Sequence, residues 1–332
     1  VHAAGIIPYR IFKGGEEEPT TTADTYLQRN LCPFARACMG YALMGHYDFL
    51  DGVASTHTCD AIHRLPYVWE KYVKKPFFFQ LDLPRVFEGG AHNYFKKEVI
   101  RFKGALEQFS GNKITDDKLT NSIKIYNKTR SLLKRIYELR KAHEPLISGT
   151  DSVKIVQAAM ILERETCNEL LGELKNELEK NSNGLKKGPR ILFTGSIIAD
   201  GDYKVMDLIE QLGGLIVTDD LCTGSRYFWD LVDESKSPIE AISERYFFQI
   251  PCPRMKSVKK RLDHVLNLTK EFKIDGVIYY NLKFCETFQY DYPIFKKELE
   301  KIEIPLLRLD TDYSELDIGQ LRTRIEAFLE MI

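Results

Sequence analysis

"DGVIYYNLKFCETF", Asp275–Phe288, is the stretch that decides the fold. A short apolar run with β-branched and aromatic residues ends in a polar turn that carries a cysteine. A helical pattern, "DYPIFKKELEKI", follows at once. The same grammar extends in both directions. Upstream stand "RILFTGS" as a strand, "DYKVMDLIEQLGG" as a helix, "LIVTDD" as a strand and "SRYFWDLVDE" as a helix. The apolar run "RYFFQIP" and a helix from about Ser257 to Phe272 come between. Downstream, "PLLRLD" reads as a strand, and a last helix begins near Ile318. Strand–helix alternation of this kind means parallel sheets with helices on both faces.

The first half repeats the alternation less regularly. "YDFLDGVAS" and "PFFFQLDLP" read as strands, and "CDAIHRLPYVWEKYV" reads as a helix in which Pro66 calls for a bend or break. A helical excursion runs from about 93 to 180. Within it, Thr115 in "TDDKL" is an N-cap with acidic first-turn residues. "IKIYNKTRSLLKRIYELRKA" spaces its apolar residues three and four apart and sets a basic, solvated face opposite them. The polar, Pro-ended "NSNGLKKGP" at 181–189 reads as a linker. The expected fold is α/β: two Rossmann-like, or flavodoxin-like, domains at 1–185 and 186–332, the first carrying the helical excursion. "VHAAGIIPYRIF" reads as a helix tail, a glycine stop and a strand, so a strand and most of a helix are expected upstream of Val1.

Composition narrows the function. The chain has 332 residues, a net charge of -1 and 44% hydrophobic residues. There is no basic footprint for nucleic acid, no apolar run near the ~20 residues of a membrane span and no signal peptide. A cytoplasmic protein with reduced thiols is expected. The seven cysteines are odd in number and widely scattered, unlike a secreted disulfide scaffold.

Their positions are informative. Cys59 in "STHTCDAIHRL", Cys222 in "DDLCTGSR" and Cys285 in "NLKFCETF" each lie at a strand-to-helix junction. The carboxyl ends of strands border the ligand crevice of an open α/β sheet, and helix N-termini stabilise thiolate. Cys32 and Cys38 lie in "NLCPFARACMG", and Cys252 lies in "QIPCPRM". The proline after Cys32 and after Cys252 keeps each cysteine extended on a loop. Cys167 sits among the periodic apolar residues of "RETCNELLGELKNELEK" and reads as helix packing. Structural zinc needs closely spaced cysteine pairs, and none exists. Scattered loop thiols suit an iron–sulfur cluster gripped between domains better. A catalytic Cys59–His57 pair is the other chemistry the local sequence allows.

These motifs resemble the 2-hydroxyacyl-CoA dehydratase and benzoyl-CoA reductase superfamily. The resemblance rests on "HAAGIIPYRI", "THTCDAIHRL", "DDLCTGSRYF", "DGVIYYNLKFC" and "GQLRTRIEAFLEM", which span nearly the whole chain. It implies two α/β domains, a 4Fe–4S cluster held by three cysteines, here Cys59, Cys222 and Cys285, and a separate ATP-hydrolysing iron–sulfur activator. "NLCPFARAC" and "IPCPR" resemble a branch of the superfamily that carries a double-cubane cluster. That branch implies six ligands, adding Cys32, Cys38 and Cys252, an 8Fe–9S cluster, and ATP-dependent reduction of small molecules in a homodimer. Three functions stay in view: such a reductase, a 2-hydroxyacyl-CoA dehydratase or aryl-CoA reductase subunit with one cubane, and a non-enzymatic carrier of low-potential electrons.

A proton donor is needed beside the cluster. His57 is the first candidate because imidazole exchanges protons near neutral pH; Asp60, His63 and Arg226 also neighbour ligand motifs. Arg226 is expected to balance cluster charge or to pair with Asp219 or Asp220, and Gly224 to serve the turn. "TGSIIADGD", at Thr194, either cradles phosphate or only turns the chain. No GxGxxG or Walker motif is present, so ATP falls to a partner.

Overall fold

The computed structural model describes residues 1–180, 184, 185 and 187–332. Positions 181–183 and 186 of the expected linker lie outside the described residues. The elements run α1 Glu17–Ala23, α2 Pro33–Leu43, β1 Gly52–Thr56, α3 Asp60–Tyr72 and β2 Phe77–Leu81. The helical excursion follows as α4 Ala91–Ser110, α5 Asp116–Glu138, α6 Gly149–Ala158 and α7 Arg164–Lys180. The second half runs β3 Arg190–Gly195, α8 Lys204–Gln211, β4 Leu215–Asp220, α9 Pro238–Phe248, α10 Val258–Glu271, β5 Gly276–Leu282, α11 Glu286–Glu300, β6 Leu306–Thr311 and α12 Ile318–Met331. Among the described residues, no helix is long and apolar enough to cross a membrane.

The fold is α/β with two parallel sheets. β1 pairs with β2, and the larger sheet has the order β4-β3-β5-β6. Side chains of its strands alternate between two cores, as the two-residue period requires. Ile191, Phe193, Ile278 and Tyr280 face α8, α12 and the helical excursion. Leu192, Val217, Val277 and Tyr279 face Leu262 and Val265 of α10 and Phe295 and Leu299 of α11. β4 is added on one side of β3 and β5 on the other, so the crevice at the carboxyl ends of β3 and β5 is a topological switch point.

Several local readings are corrected. After the helix tail His2–Ala4 and the left-handed Gly5, residues 6–12 form no strand; a single bridge, Lys13 to Asp200, is all that pairs there. "SRYFWDLVDE" makes only the single turn Ser225–Tyr227. Its backbone is held from outside instead: Asp219 Oδ1 accepts from Leu221 N and Ser225 N, and the Asn127 amide bonds both Val232 N and Val232 O. The strand expected from Tyr47 starts at Gly52, after a turn that buries Tyr47. Helix α3 runs through Pro66 unbroken; the missing N–H falls opposite the Ile62 carbonyl.

Gly195 closes β3 at the crevice with φ +124°, and a Cβ there would lie 1.9 Å from Tyr280 O. Gly195→Ala is therefore expected to cost about 2 kcal/mol or more. A urea midpoint equal to that of the unsubstituted protein would count against this account of the β3–β5 junction.

Candidate metal centre

The crevice is built from helix beginnings. Cys32, Cys59 and Cys285 are the N-cap residues of α2, α3 and α11. None of the three caps with an oxygen, so first-turn N–H groups face sulfur instead. Cys32 meets Phe34 N, Cys59 meets Ala61 N and Ile62 N, and Cys285 meets Phe288 N. Pro33 at the first position of α2 holds Cys32 extended, at φ -48° and ψ 128°. Cys222 follows β4. Cys252 lies on the loop between α9 and α10, in a turn closed by Met255 N on Cys252 O, with Arg254 N facing its sulfur.

Five of the six candidate thiols form a chain, each near at least one other. Cys32 lies beside Cys285, Cys32 and Cys252 lie near Cys59, and Cys222 lies near Cys252. Cys285, with burial, holds the Cys32 thiol well up, and Cys32 brings Cys285 down to about 6, helped by Ser196 and Thr287. Burial pushes Cys59 up to about 11. Exposure is graded: Cys32 is buried, Cys59, Cys222 and Cys285 are half-buried, and Cys252 is exposed.

Cys38 stands apart. It lies six residues beyond Cys32, about 9 Å along the helix axis, buried near Tyr41, Tyr47 and Arg10, with its thiol pushed up to about 12 by burial. Cys167 is 1% exposed in α7, 3.8 Å from Arg164 Nη1, as its helical setting implied. Among the described residues, no three His, Cys, Asp or Glu side chains gather as the ligands of one metal ion do.

Guanidinium groups surround the thiols. Arg226 is buried against Asp220 (3.3 Å) and donates to Pro251 O, beside Cys222 and Cys252. Arg261 is buried in a pair with Asp291 and also faces Cys252. Arg254 reaches across from the Cys252 loop to Thr58 O (2.6 Å), Leu83 O (2.8 Å) and Pro84 O (3.1 Å). Asp219 pairs more loosely with Arg140 and accepts from Tyr137. Gly224 is required by close approach rather than by its φ, because a Cβ would lie 2.1 Å from Asp219 Oδ1.

His57 follows β1 and Asp82 follows β2. Their Nδ1–Oδ1 distance is 3.2 Å, and Tyr94 donates to Asp82 at 2.7 Å. The His57 ring packs at a tilt of 52° against His63 with centroids 3.7 Å apart, while His57 Nε2 and His63 Nδ1 are buried without partners among the described residues. Burial and His57 hold the His63 pKa down. Asp60 pairs with Arg64 on the surface.

A model of the family described as 2-hydroxyglutaryl-CoA dehydratase, D-component, matches residues 1–332. The chain belongs to this family. It is 29% identical to the (R)-phenyllactyl-CoA dehydratase beta subunit of Clostridium sporogenes, over all of this chain and 88% of that one. It is 28% identical to the (R)-2-hydroxyglutaryl-CoA dehydratase subunit beta of Acidaminococcus fermentans, over 100% and 89%. It is 25% identical to a benzoyl-CoA reductase subunit from Thauera aromatica, over 100% and 87%. Dehydratases and a reductase thus share this architecture, and this D-component relative is an enzyme subunit of the same kind.

Arg254, Arg261, Ser196, Asp82 and Tyr94 escaped the sequence reading. Only Arg254 carried a signal, in its place beside Cys252 in "IPCPR". "TGSIIADGD" turns the chain after β3. The amides of Ser196, Asp200 and Asp202 already bond Tyr280 O, Phe12 O and Ala199 O, which leaves no cradle of free N–H groups at these positions. Burial raises the Asp202 carboxyl to about 7, although it accepts from Tyr280 and faces Lys204. The fold favours the protonated acid, so this contribution is whole below the unfolded value of 3.8 and is lost as pH rises through about 7. Stability from this group should fall by about 1.4 kcal/mol per pH unit across that window. Urea titrations at several pH values should show that fall flattened in Asp202→Asn; an undiminished slope would assign it to other groups.

Proposed function

We propose that this chain is the cluster-bearing subunit of a low-potential, ATP-dependent reductase of small molecules, with an 8Fe–9S double-cubane cluster held by Cys32, Cys38, Cys59, Cys222, Cys252 and Cys285. The observation that carries the reading is the chain of neighbouring thiols that links Cys222, Cys252, Cys59, Cys32 and Cys285, more than the three that one family cubane requires. Thiolates are the donors iron–sulfur clusters take. First-turn amides face three of the five sulfurs and a turn amide faces Cys252, and Arg226, Arg254 and Arg261 stand beside the set, so the surroundings suit an anionic cluster. The two halves that hold it are residues 1–185 and 186–332. Electrons come from a separate ATP-hydrolysing iron–sulfur activator, the working assembly is a homodimer, and the setting is the cytoplasm of an anaerobic cell.

When bound, the cluster supplies electrons one at a time at low potential. The chain's own residues supply the proton. His57 bonds the Asp82 carboxylate through Nδ1, Tyr94 fixes that carboxylate, and the ring so oriented is the proposed donor. Arg226 and Arg261 offset negative charge near Cys252.

A second reading, a 2-hydroxyacyl-CoA dehydratase or aryl-CoA reductase subunit with one 4Fe–4S cluster, is favoured by the separation of Cys38 from the other five thiols and by the relatives' names. Iron and acid-labile sulfide, measured on protein purified without oxygen, divide the readings. About eight irons per chain fit the double cubane, and about four fit the single one. On the first reading, Cys38→Ala and Cys252→Ala lower bound iron while Cys167→Ala leaves it unchanged; unchanged iron in both ligand variants removes the double cubane. Near-zero iron sinks both. His57→Ala should keep its iron and lose turnover by about 10²–10⁴-fold; full turnover would release His57 from the proton role.

A further inference from the structure

Away from the cysteines, three arginines are buried together without an acidic partner. Arg130 of α5, Arg164 of α7 and Arg245 of α9 are 4%, 2% and 8% exposed. Among the described residues, none of them makes an ion pair with a carboxylate within 4.0 Å. Every acceptor they do have is neutral. Arg130 bonds Asn127 Oδ1 and the Tyr246 hydroxyl, and Arg164 bonds Ala159 O. Arg245 bonds Asp230 O, Gln249 Oε1 and Tyr227 O. Arg164 Nε is buried with no partner at all.

Tyr126, Tyr227 and Tyr246 lie beside them. Arg164 lies over the Tyr126 ring at 4.5 Å, and Arg245 lies over Tyr246 at 4.5 Å. Tyr246 leaves 43% of its surface open while turning its hydroxyl onto Arg130 Nη2 at 3.2 Å. Burial alone would raise the pKa of this phenol, but Arg130, Arg245 and Arg164 together bring it down. Three guanidinium groups act on one spot.

Burying cations without an anion is costly, and planar guanidinium forks match phosphate oxygens. The group is approached through Arg245. Arg245 and Gln249 line a cavity of about 540 Å³ that opens beside Lys260. Of the acids on that cavity, Glu244 and Asp233 are paired with Lys236 and Asp263 with Lys259, which leaves Asp230 as the acid closest in effect to Arg245.

We propose that Arg130, Arg164 and Arg245, with the Tyr246 hydroxyl, form a binding site for a phosphate group between α5, α7 and α9. The phosphate arrives either as the free anion or as part of a larger phosphorylated ligand whose body lies in the adjoining cavity. This site stands whichever cluster the cysteines hold.

Titration calorimetry on the anaerobically purified chain tests it, with inorganic phosphate and, separately, coenzyme A as probes at fixed ionic strength. Saturable phosphate binding is expected, weakened about tenfold or more by Arg245→Gln. If that variant does not fold, Arg130→Lys carries the test, because it keeps the charge and loses the fork. Coenzyme A binding more tightly than phosphate and competing with it identifies a larger ligand; phosphate binding alone identifies the free anion. No saturable binding of either probe overturns the proposal, as does binding that a folded Arg245→Gln or Arg130→Lys leaves unchanged. Iron content is not part of the readout, so failure here is distinct from failure of the cluster assignment.

Discussion

Arg254 ties the molecule together where its chemistry is concentrated. Its guanidinium leaves the Cys252 loop and donates to three carbonyls, at Thr58, Leu83 and Pro84, in the loops that follow β1 and β2. Lys256 N adds a bond to Arg85 O alongside. Thr58 adjoins Cys59 and Leu83 adjoins Asp82. One side chain therefore sets the distance between a thiol from the second half of the chain and the thiol and histidine of the first.

What Arg254 brings together is held in place by backbone polarity. Three cysteines occupy N-cap positions that usually hold Ser, Thr, Asp or Asn. A neutral thiol is a poor cap, and each of these helices begins with amides that sulfur alone faces. A thiolate, or an anionic cluster bound through it, turns that deficit into a favourable interaction with the positive end of the helix. Local stability is given up while the thiols are neutral and regained when the site is charged. The same logic explains the buried arginines near Cys252: Arg226 and Arg261 have carboxylate partners, Asp220 and Asp291, yet keep a face toward the thiols.

Much of this was legible one residue at a time. "LIVTDD" forms a strand over its full length, Leu215–Asp220, and Thr115 caps α5 by accepting from Lys118 N. These features depend on neighbours in sequence. "SRYFWDLVDE" misled because its apolar residues, Phe228 and Val232 among them, are buried without forming a helix. Asp219 and Asn127 take up backbone groups that a helix would have paired internally, and Asn127 is more than a hundred residues away.

The sequence by itself determined the α/β alternation, the strand-to-helix junctions of Cys59 and Cys285 and the burial of Cys167, because periodicity, capping and turn chemistry act over a few residues; Cys222 follows a strand but precedes only a single turn. Only the tertiary structure decided which thiols meet, that Cys38 lies near Tyr41 and Tyr47, and that Asp82 pairs with His57. The physical reason is range. A side chain's partner across the fold is chosen by how sheets and helices pack, and no local pattern encodes that choice.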